Sequence, residues 1–129
     1  MCIDGTTGKQ ASDWSDYWGA SLWGHDDKVT DFFSDGDTIK FKSIGDGKPW
    51  RITLRLYDSN PEKASFFIYD FPTKKDKMTE ITIPYKKFKF GYGVKRSFDK
   101  KEVMGLEFFA YNIGQDAKRA IRIFDVRVY

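Results

Sequence analysis

The chain has 129 residues, with 22 basic and 19 acidic side chains, one His, one Cys, and aromatic residues at 18% of positions. This length suits one domain around a single core, and one cysteine excludes an internal disulfide. The formal charge of +3 is too small for a general attraction to nucleic acid or anionic lipid, and no apolar run is long enough to predict a membrane span.

Apolar residues alternate with polar ones in short stretches rich in aromatic and β-branched side chains, and clusters of Gly, Pro, Asn and Asp separate these stretches. Strands of this number and length are typical of a two-sheet antiparallel β-sandwich. We therefore expect an all-β fold, with a loosely ordered segment at 1–12 and a single domain over 13–129. The predicted strands are 16–23, 37–43, 50–57, 65–71, 79–83, 103–112 and 120–129.

Helix is predicted to be a minor component, limited to one turn within 98–104 that Ser97 or Asp99 caps. The last strand changes its pattern part-way, because Ile123 lies on one parity and Val126 on the other. This strand is either buried on both faces or interrupted by a bulge near 123–125.

Alternation along a strand also predicts which side chains lie on the face away from the core. In the third predicted strand the aliphatic residues face the core, and in the sixth the apolar residues of one parity do so. The opposite faces then carry a mixture of aromatic, cationic and carboxylate side chains: Arg51, Thr53, Arg55 and Tyr57 on the third strand, and Glu107, Phe109 and Tyr111 on the sixth.

The sequence does not favour catalysis or nucleic-acid binding. The only imidazole, His25, lies in a polar loop, and the nucleophile, phosphate-loop and metalloprotease motifs are absent. The segment 85–96 interleaves bases with aromatics, as a single-strand binding groove does, but acidic residues nearby remove any one-signed field. We expect no enzymatic activity and no nucleic-acid partner.

The aromatic content instead suits a neutral sugar. The four Trp and seven Tyr carry N–H or O–H groups that need partners when buried, so we expect some of them at the surface. Sugars are bound by flat rings that stack and by planar polar groups that hydrogen-bond their hydroxyls. Trp23, near a strand end, is a candidate for stacking, and Trp50 is either a platform at the rim or a plug that closes the end of the sandwich.

Four segments, in this order, are similar to those of the galactose-binding-like jelly rolls: 16–20, 37–41 with the turn 45–48, 81–88 and 123–129. Within that fold the chain resembles the carbohydrate-binding modules attached to β-glucanases and cellulases. The turn 45–48 and the segment 81–88 are also similar to the complex I intermediate-associated protein family, which shares the fold.

The resemblance implies a jelly roll that holds a glucan chain across its concave sheet. Tyr17 takes the place of a sugar-stacking tyrosine in those modules, and Tyr92 the place of a second one. Further ligand contacts in those modules come from the penultimate strand, which points to Glu107, Phe109 and Tyr111. The predicted sugar-contacting residues are thus Tyr17, Trp23, Trp50, Arg55, Tyr57, Tyr92, Glu107, Phe109 and Tyr111.

Related modules also hold a structural calcium between N-terminal acids and an Asp of the last strand. Asp125 matches that Asp, so the resemblance makes it a candidate calcium ligand. Few residues precede the Tyr-Trp-Gly segment, however, and Asp125 is alternatively a residue that bonds to backbone at a bulge.

The predicted function is non-catalytic binding of a plant cell-wall β-glucan, either β-1,4-linked, mixed-linkage or xyloglucan, which targets a tethered glycoside hydrolase catalytic domain to its substrate. We expect a monomer, outside the cell or at the cell surface, whose signal peptide is absent from this sequence. Cys2 is either an ordinary free cysteine or the lipidated start of a trimmed lipoprotein. The alternative functions are a protein-interaction or assembly domain of the same fold and a small glycosidase.

Overall fold

The computed structural model describes residues 2–6, 18–23, 27–56, 63–110 and 118–129. This part of the chain contains strands, one α-helix and short 3-10 turns. Their bounds are β1 Cys2–Thr6, β2 Trp18–Trp23, α1 Asp27–Ser34, β3 Thr38–Ile44, β4 Trp50–Leu56, β5 Ser65–Phe71, β6 Met78–Pro84, β7 Lys89–Gly93, β8 Val103–Ala110 and β9 Lys118–Val128.

The strands form two sheets, and each strand pairing within them is antiparallel. The four-stranded sheet has the order β1-β9-β3-β6, and the five-stranded sheet has the order β2-β8-β4-β5-β7. The predicted all-β sandwich is confirmed, and each of the seven predicted strands is present.

The core lies between the sheets and follows from strand alternation. On β4, Ile52, Leu54 and Leu56 have no exposed surface, and on β3 the inward residues Ile39 and Phe41 are equally buried. Aromatic rings fill the middle of the core with edge-to-face contacts, in which the ring centroids of Phe41 and Phe108 are 5.4 Å apart. Burial of one apolar face per strand therefore fixes which side chains remain on the outer faces.

Three elements differ from the sequence-based prediction. The segment predicted to be loose at 1–12 contains β1, which pairs with β9, while 7–12 lies outside the described residues. The edge strand β7 was not predicted, nor was α1, which packs against β8 and β9. The sequence of α1 does space Val29, Phe32 and Phe33 as one helical face, but over only eight residues this pattern is too short to distinguish a helix from a loop.

Two local predictions are confirmed. A 3-10 turn forms at Lys100–Glu102, where the carboxylate of Asp99 accepts a hydrogen bond from the backbone N–H of Lys101 at 3.0 Å. The bulge in β9 is present as a register shift opposite Lys40 and Lys42 on β3. Asp125 lies at the bulge with φ of 50°, in the left-handed region that few non-glycine residues adopt.

A buried carboxylate ties one end of the sandwich together. One oxygen of Asp46 accepts from Lys48 N at 3.1 Å and from Trp50 Nε1 at 3.2 Å, and the other accepts from Arg119 Nε at 2.7 Å and Ala120 N at 3.1 Å. Burial alone raises the pKa of Asp46, but the hydrogen bonds from Arg119 and the two backbone N–H groups outweigh it and hold the pKa below its usual value. The β3–β4 turn and β9 are therefore joined through this residue.

Candidate functional site

The outer face of the five-stranded sheet brings several of the predicted residues together, and we call it the candidate face. The strand register aligns its positions in three rows that run across the strands. The rows are Gly19–Phe109–Arg51–Asp70, then Ser21–Glu107–Thr53–Ile68, then Trp23–Gly105–Arg55–Phe66–Tyr92.

The third row contains a stack of three side chains. The rings of Phe66 and Tyr92 have centroids 4.4 Å apart and an interplanar angle of 12°, and the guanidinium carbon of Arg55 is 5.5 Å from the Phe66 centroid. Neighbouring strands are about 4.8 Å apart, so rings at this spacing stand upright on the sheet and overlap face to face. Arg55 and Tyr92 therefore cover the two faces of Phe66, and Tyr92, on the edge strand, turns its second face away from the sheet.

The first row contains a two-pronged ion pair. Arg51 Nε and Nη2 donate to the two carboxylate oxygens of Asp70 at 2.8 Å and 3.3 Å. This geometry fixes both planar groups, and they remain partly exposed beside Phe109. The ion pair thus holds the guanidinium plane of Arg51 in a fixed orientation on the candidate face.

The middle row is the polar floor of the candidate face. Thr53 is fully buried and Glu107 is 7% exposed, although both lie on the side of the sheet away from the core. Thr53 Oγ1 has no hydrogen-bond partner among the described residues. A buried hydroxyl without a partner is costly, so Thr53 lowers the stability of the sheet at this position.

Comparison with known proteins gives matches at the level of structure. No protein-family model and no curated protein matches the sequence. A solved family 11 carbohydrate-binding module of the cellulosomal cellulase Lic26A-Cel5E of Clostridium thermocellum is similar with a TM-score of 0.72 and 15% sequence identity, over 100% of this chain and 74% of that one. The chain has the β-sandwich fold of the family 11 carbohydrate-binding modules.

A second solved family 11 module, from Clostridium thermocellum in complex with a β-1,3-1,4-mixed-linked tetrasaccharide, has a TM-score of 0.71 and 16% identity. That match covers 99% of this chain and 75% of the other. The family 11 fold agrees with the jelly-roll resemblance that the sequence motifs indicated.

The structure places four of the predicted residues on the candidate face: Arg55, Tyr92, Glu107 and Phe109. Trp23 is described for its backbone, which lies at the end of the third row. Sequence reasoning missed Asp70 and Phe66, because their positions opposite Arg51 and Arg55 depend on the β4–β5 register. The predicted contacts Tyr17, Tyr57 and Tyr111 lie outside the described residues.

Trp50 requires a correction. Its side chain is fully buried, its Nε1 donates to Asp46, and the guanidinium carbon of Arg119 is 5.0 Å from its ring centroid. Because the first residue of β4 faces the interior at the end of the sandwich, the ring has no face open to a ligand. The alternative interpretation of Trp50 as a plug is correct, and we remove it from the predicted site.

Asp125, the candidate calcium ligand, lies beside a lysine in the structure. Within the described residues, no group of three or more His, Cys, Asp or Glu side chains is arranged to hold a metal ion. The carboxylate of Asp125 is 3.6 Å from the ammonium of Lys42, a cation that opposes metal binding at that oxygen. Calcium at Asp125 therefore stays a prediction.

The described helical segments lack the length and apolar character needed to cross a membrane.

Proposed function

We propose that this protein is a non-catalytic carbohydrate-binding module that binds a β-linked glucan chain across the candidate face. The observation that carries the proposal is the arrangement of that face, where aromatic side chains and fixed planar polar groups flank a buried polar floor. The family 11 fold supports it, since one module of that fold was solved with a mixed-linkage tetrasaccharide.

The dimensions of the candidate face suit a short run of sugar units. Arg51 and Arg55 are four residues apart on β4, which separates the first and third rows by about 13 Å. The five strands from β2 to β7 give the face a width of about 19 Å. A glucan chain on this face reaches the Arg51–Asp70 pair at one row and the Arg55–Phe66–Tyr92 stack at another.

Each group has a distinct part in the proposed binding. The Tyr92 ring stacks on the apolar face of one sugar, and Arg51, Asp70 and Arg55 hydrogen-bond sugar hydroxyls. Each exposed stacking contact contributes roughly 1 kcal/mol while ordering of the chain opposes binding, so we expect affinities on the order of micromolar to millimolar.

The proposed role outside the binding step is targeting. A module with this affinity raises the local substrate concentration of an attached glycoside hydrolase through effective concentration, without contributing a reacting group. We propose that it acts as a monomer outside the cell, where plant cell-wall β-glucans are present.

Affinity electrophoresis through gels containing barley β-glucan, xyloglucan, hydroxyethylcellulose, xylan or mannan tests the proposal. We expect retardation of the wild-type protein in at least one β-glucan gel, which also identifies the linkage. Tyr92→Ala should lose most of that retardation. Phe32→Ala is the matched control, because Phe32 is 41% exposed and Tyr92 is 43% exposed, and Phe32 lies on α1, away from the candidate face.

Two results would contradict the proposal. Free migration of the wild-type protein in all gels would favour the alternative of a protein-interaction domain. Retardation that Tyr92→Ala and Phe32→Ala leave equally strong would remove the candidate face as the binding site.

A further inference from the structure

The outer face of the four-stranded sheet, on the opposite side of the sandwich from the candidate face, contains a hollow of about 220 Å³ between β3, β6 and the end of β9. We call it the basic hollow. It is lined by Lys40, Lys42, Glu80, Asp125, Arg127 and Tyr129.

The lining of the basic hollow contains three cationic and two carboxylate side chains. Glu80 pairs with Lys40 at 2.9 Å and Asp125 pairs with Lys42 at 3.6 Å, so each carboxylate already has a lysine partner. Arg127 is exposed and forms no ion pair within the part of the chain that the structure describes. Of the three cations that line the hollow, Arg127 is thus the one with no carboxylate at ion-pair distance among the described residues.

The strand register places a second cation directly opposite Arg127. Lys40 on β3 lies directly opposite Arg127 on β9, and like charges at directly opposed positions destabilise a sheet. The ion pair with Glu80 offsets part of the repulsion at Lys40, whereas Arg127 has no such compensation in the described chain. An anionic group bound in the hollow would convert this repulsion into attraction.

An exposed ring stands beside Arg127. The side chain of Tyr129 is 58% exposed, and Lys40 Nζ is 5.7 Å from its ring centroid. The backbone of Tyr129 is held firmly, because its carbonyl accepts from Asp37 N at 2.5 Å and Thr38 N at 3.0 Å, and its N–H donates to Thr38 O at 2.8 Å. The backbone that carries this ring is thus fixed in position, two residues after Arg127 on the same strand end.

The backbone of the hollow is also irregular. The β9 bulge lies here, and Asp125 has its positive φ at the bulge. A bulge redirects a side chain relative to a regular strand, and such positions are frequent next to binding sites. At this bulge the redirected carboxylate lies at the rim of the hollow, within reach of Lys42.

We propose that the basic hollow binds a sugar that carries a carboxylate, such as a uronic acid unit of an acidic polysaccharide. The carboxylate pairs with Arg127 and the sugar ring lies against Tyr129. The two lysines donate to sugar hydroxyls, and Glu80 and Asp125 accept from them. Hydroxyl groups need both donors and acceptors, and the lysines and carboxylates of the hollow supply both.

Affinity electrophoresis through gels of polygalacturonate, at increasing polymer concentrations, tests the inference. We expect the wild-type protein to be retarded, and the affinity of Arg127→Gln to fall at least about tenfold, because a charge-assisted hydrogen bond is lost. Tyr129→Ala should also weaken binding, while Tyr129→Phe should keep most of it. Thermal midpoints of all variants confirm that they are folded.

The matched control is Arg122→Gln. Arg122 is an exposed arginine on the same strand, between the buried residues Ile121 and Ile123, so its side chain lies on the same sheet face but outside the hollow. Arg122→Gln removes the same charge and should leave retardation nearly unchanged.

Three results would overturn the inference: an unretarded wild-type protein, equal losses for Arg122→Gln and Arg127→Gln, or equal retardation by single-stranded DNA. The second would show diffuse charge attraction and the third a phosphate-binding surface. Barley β-glucan gels run in parallel separate this inference from the proposed function, because Arg127→Gln should migrate there as the wild type does. If the wild-type protein is retarded by β-glucan but not by polygalacturonate, this inference alone has failed. The reverse result contradicts the proposed function alone.

Discussion

The substitution Asp46→Asn should unfold the protein more easily than any other single carboxylate-to-amide change in its ion pairs. Asp46 accepts two hydrogen bonds at each of its two oxygens. The side chain of an asparagine can accept hydrogen bonds at its one oxygen, but in place of the other carboxylate oxygen it presents an NH2 group, which only donates. Whichever way the amide turns, two N–H donors lose their acceptor.

The charge of Arg119 determines the size of the effect. Its side chain has no exposed surface, whereas its partner carboxylate is 15% exposed, so Arg119 cannot turn to bulk water when that carboxylate is removed. Arg119 Nη2 keeps its bond to the carbonyl of Pro49 at 2.7 Å, but the positive charge loses its counterion. Removing one partner of a buried ion pair costs about 3–5 kcal/mol. For a chain of this length that corresponds to a fall of about 10–20 °C in Tm.

Urea denaturation at pH 7, followed by tryptophan fluorescence, measures this loss. Asp70→Asn is the matched control, because it removes a carboxylate from a two-pronged arginine pair whose Asp70 side chain is 42% exposed. An exposed pair of this kind contributes below about 1 kcal/mol. Arg119→Met and the double variant Asp46→Asn/Arg119→Met complete a cycle, in which we expect the double variant to be less destabilised than the sum of the two single changes.

Equal losses for Asp46→Asn and Asp70→Asn would refute this reasoning. Strict additivity in the cycle would also refute it, because the argument requires Asp46 to act through Arg119.

The remaining predictions concern pH and two buried hydroxyls. Folding lowers the pKa of Asp46 from its ordinary 3.8, so the stability that its carboxylate contributes is present above about pH 4 and is lost as pH falls through the lowered pKa. When unfolding is measured at decreasing pH, Asp46→Asn should therefore lose less stability than the wild-type protein does. Burial raises the pKa of Tyr85, so its hydroxyl stays protonated and donates to the carbonyl of Phe33. Tyr85→Phe should lower the free energy of unfolding by about 1–2 kcal/mol in urea denaturation, and an unchanged midpoint would contradict this hydrogen bond. Thr53→Val should stabilise the protein by about 1 kcal/mol in urea denaturation, because it removes a buried hydroxyl that has no partner among the described residues, and destabilisation would show that the hydroxyl is already satisfied.

Strand alternation was sufficient to predict most of the fold. The apolar residues of β4 faced the core as expected, and the parity change in β9 indicated the bulge that the structure contains. The edge strands β1 and β7 were missed because an edge strand buries little and has a weak apolar pattern. The helix α1 was missed because its eight residues give too short an apolar pattern to distinguish a helix from a loop.

The candidate face could be predicted only in part. Parity identified which residues of β4 and β8 face outward, but not that β8 lies between β2 and β4. The pairing of Arg51 with Asp70 depends on strand register, which a sequence pattern does not define. Trp50 was ambiguous because its environment is set by Arg119, 69 positions later in the chain, together with Asp46.

An NMR titration of the labelled protein with a β-1,3-1,4-mixed-linked tetrasaccharide tests the central claim most directly. The account predicts fast-exchange shifts of backbone amides in β4, β5, β7 and β8, largest around Arg55, Phe66 and Tyr92, with little change in β3 and β6. Absence of shifts at millimolar ligand, or shifts confined to the four-stranded sheet, would contradict glucan binding on the candidate face.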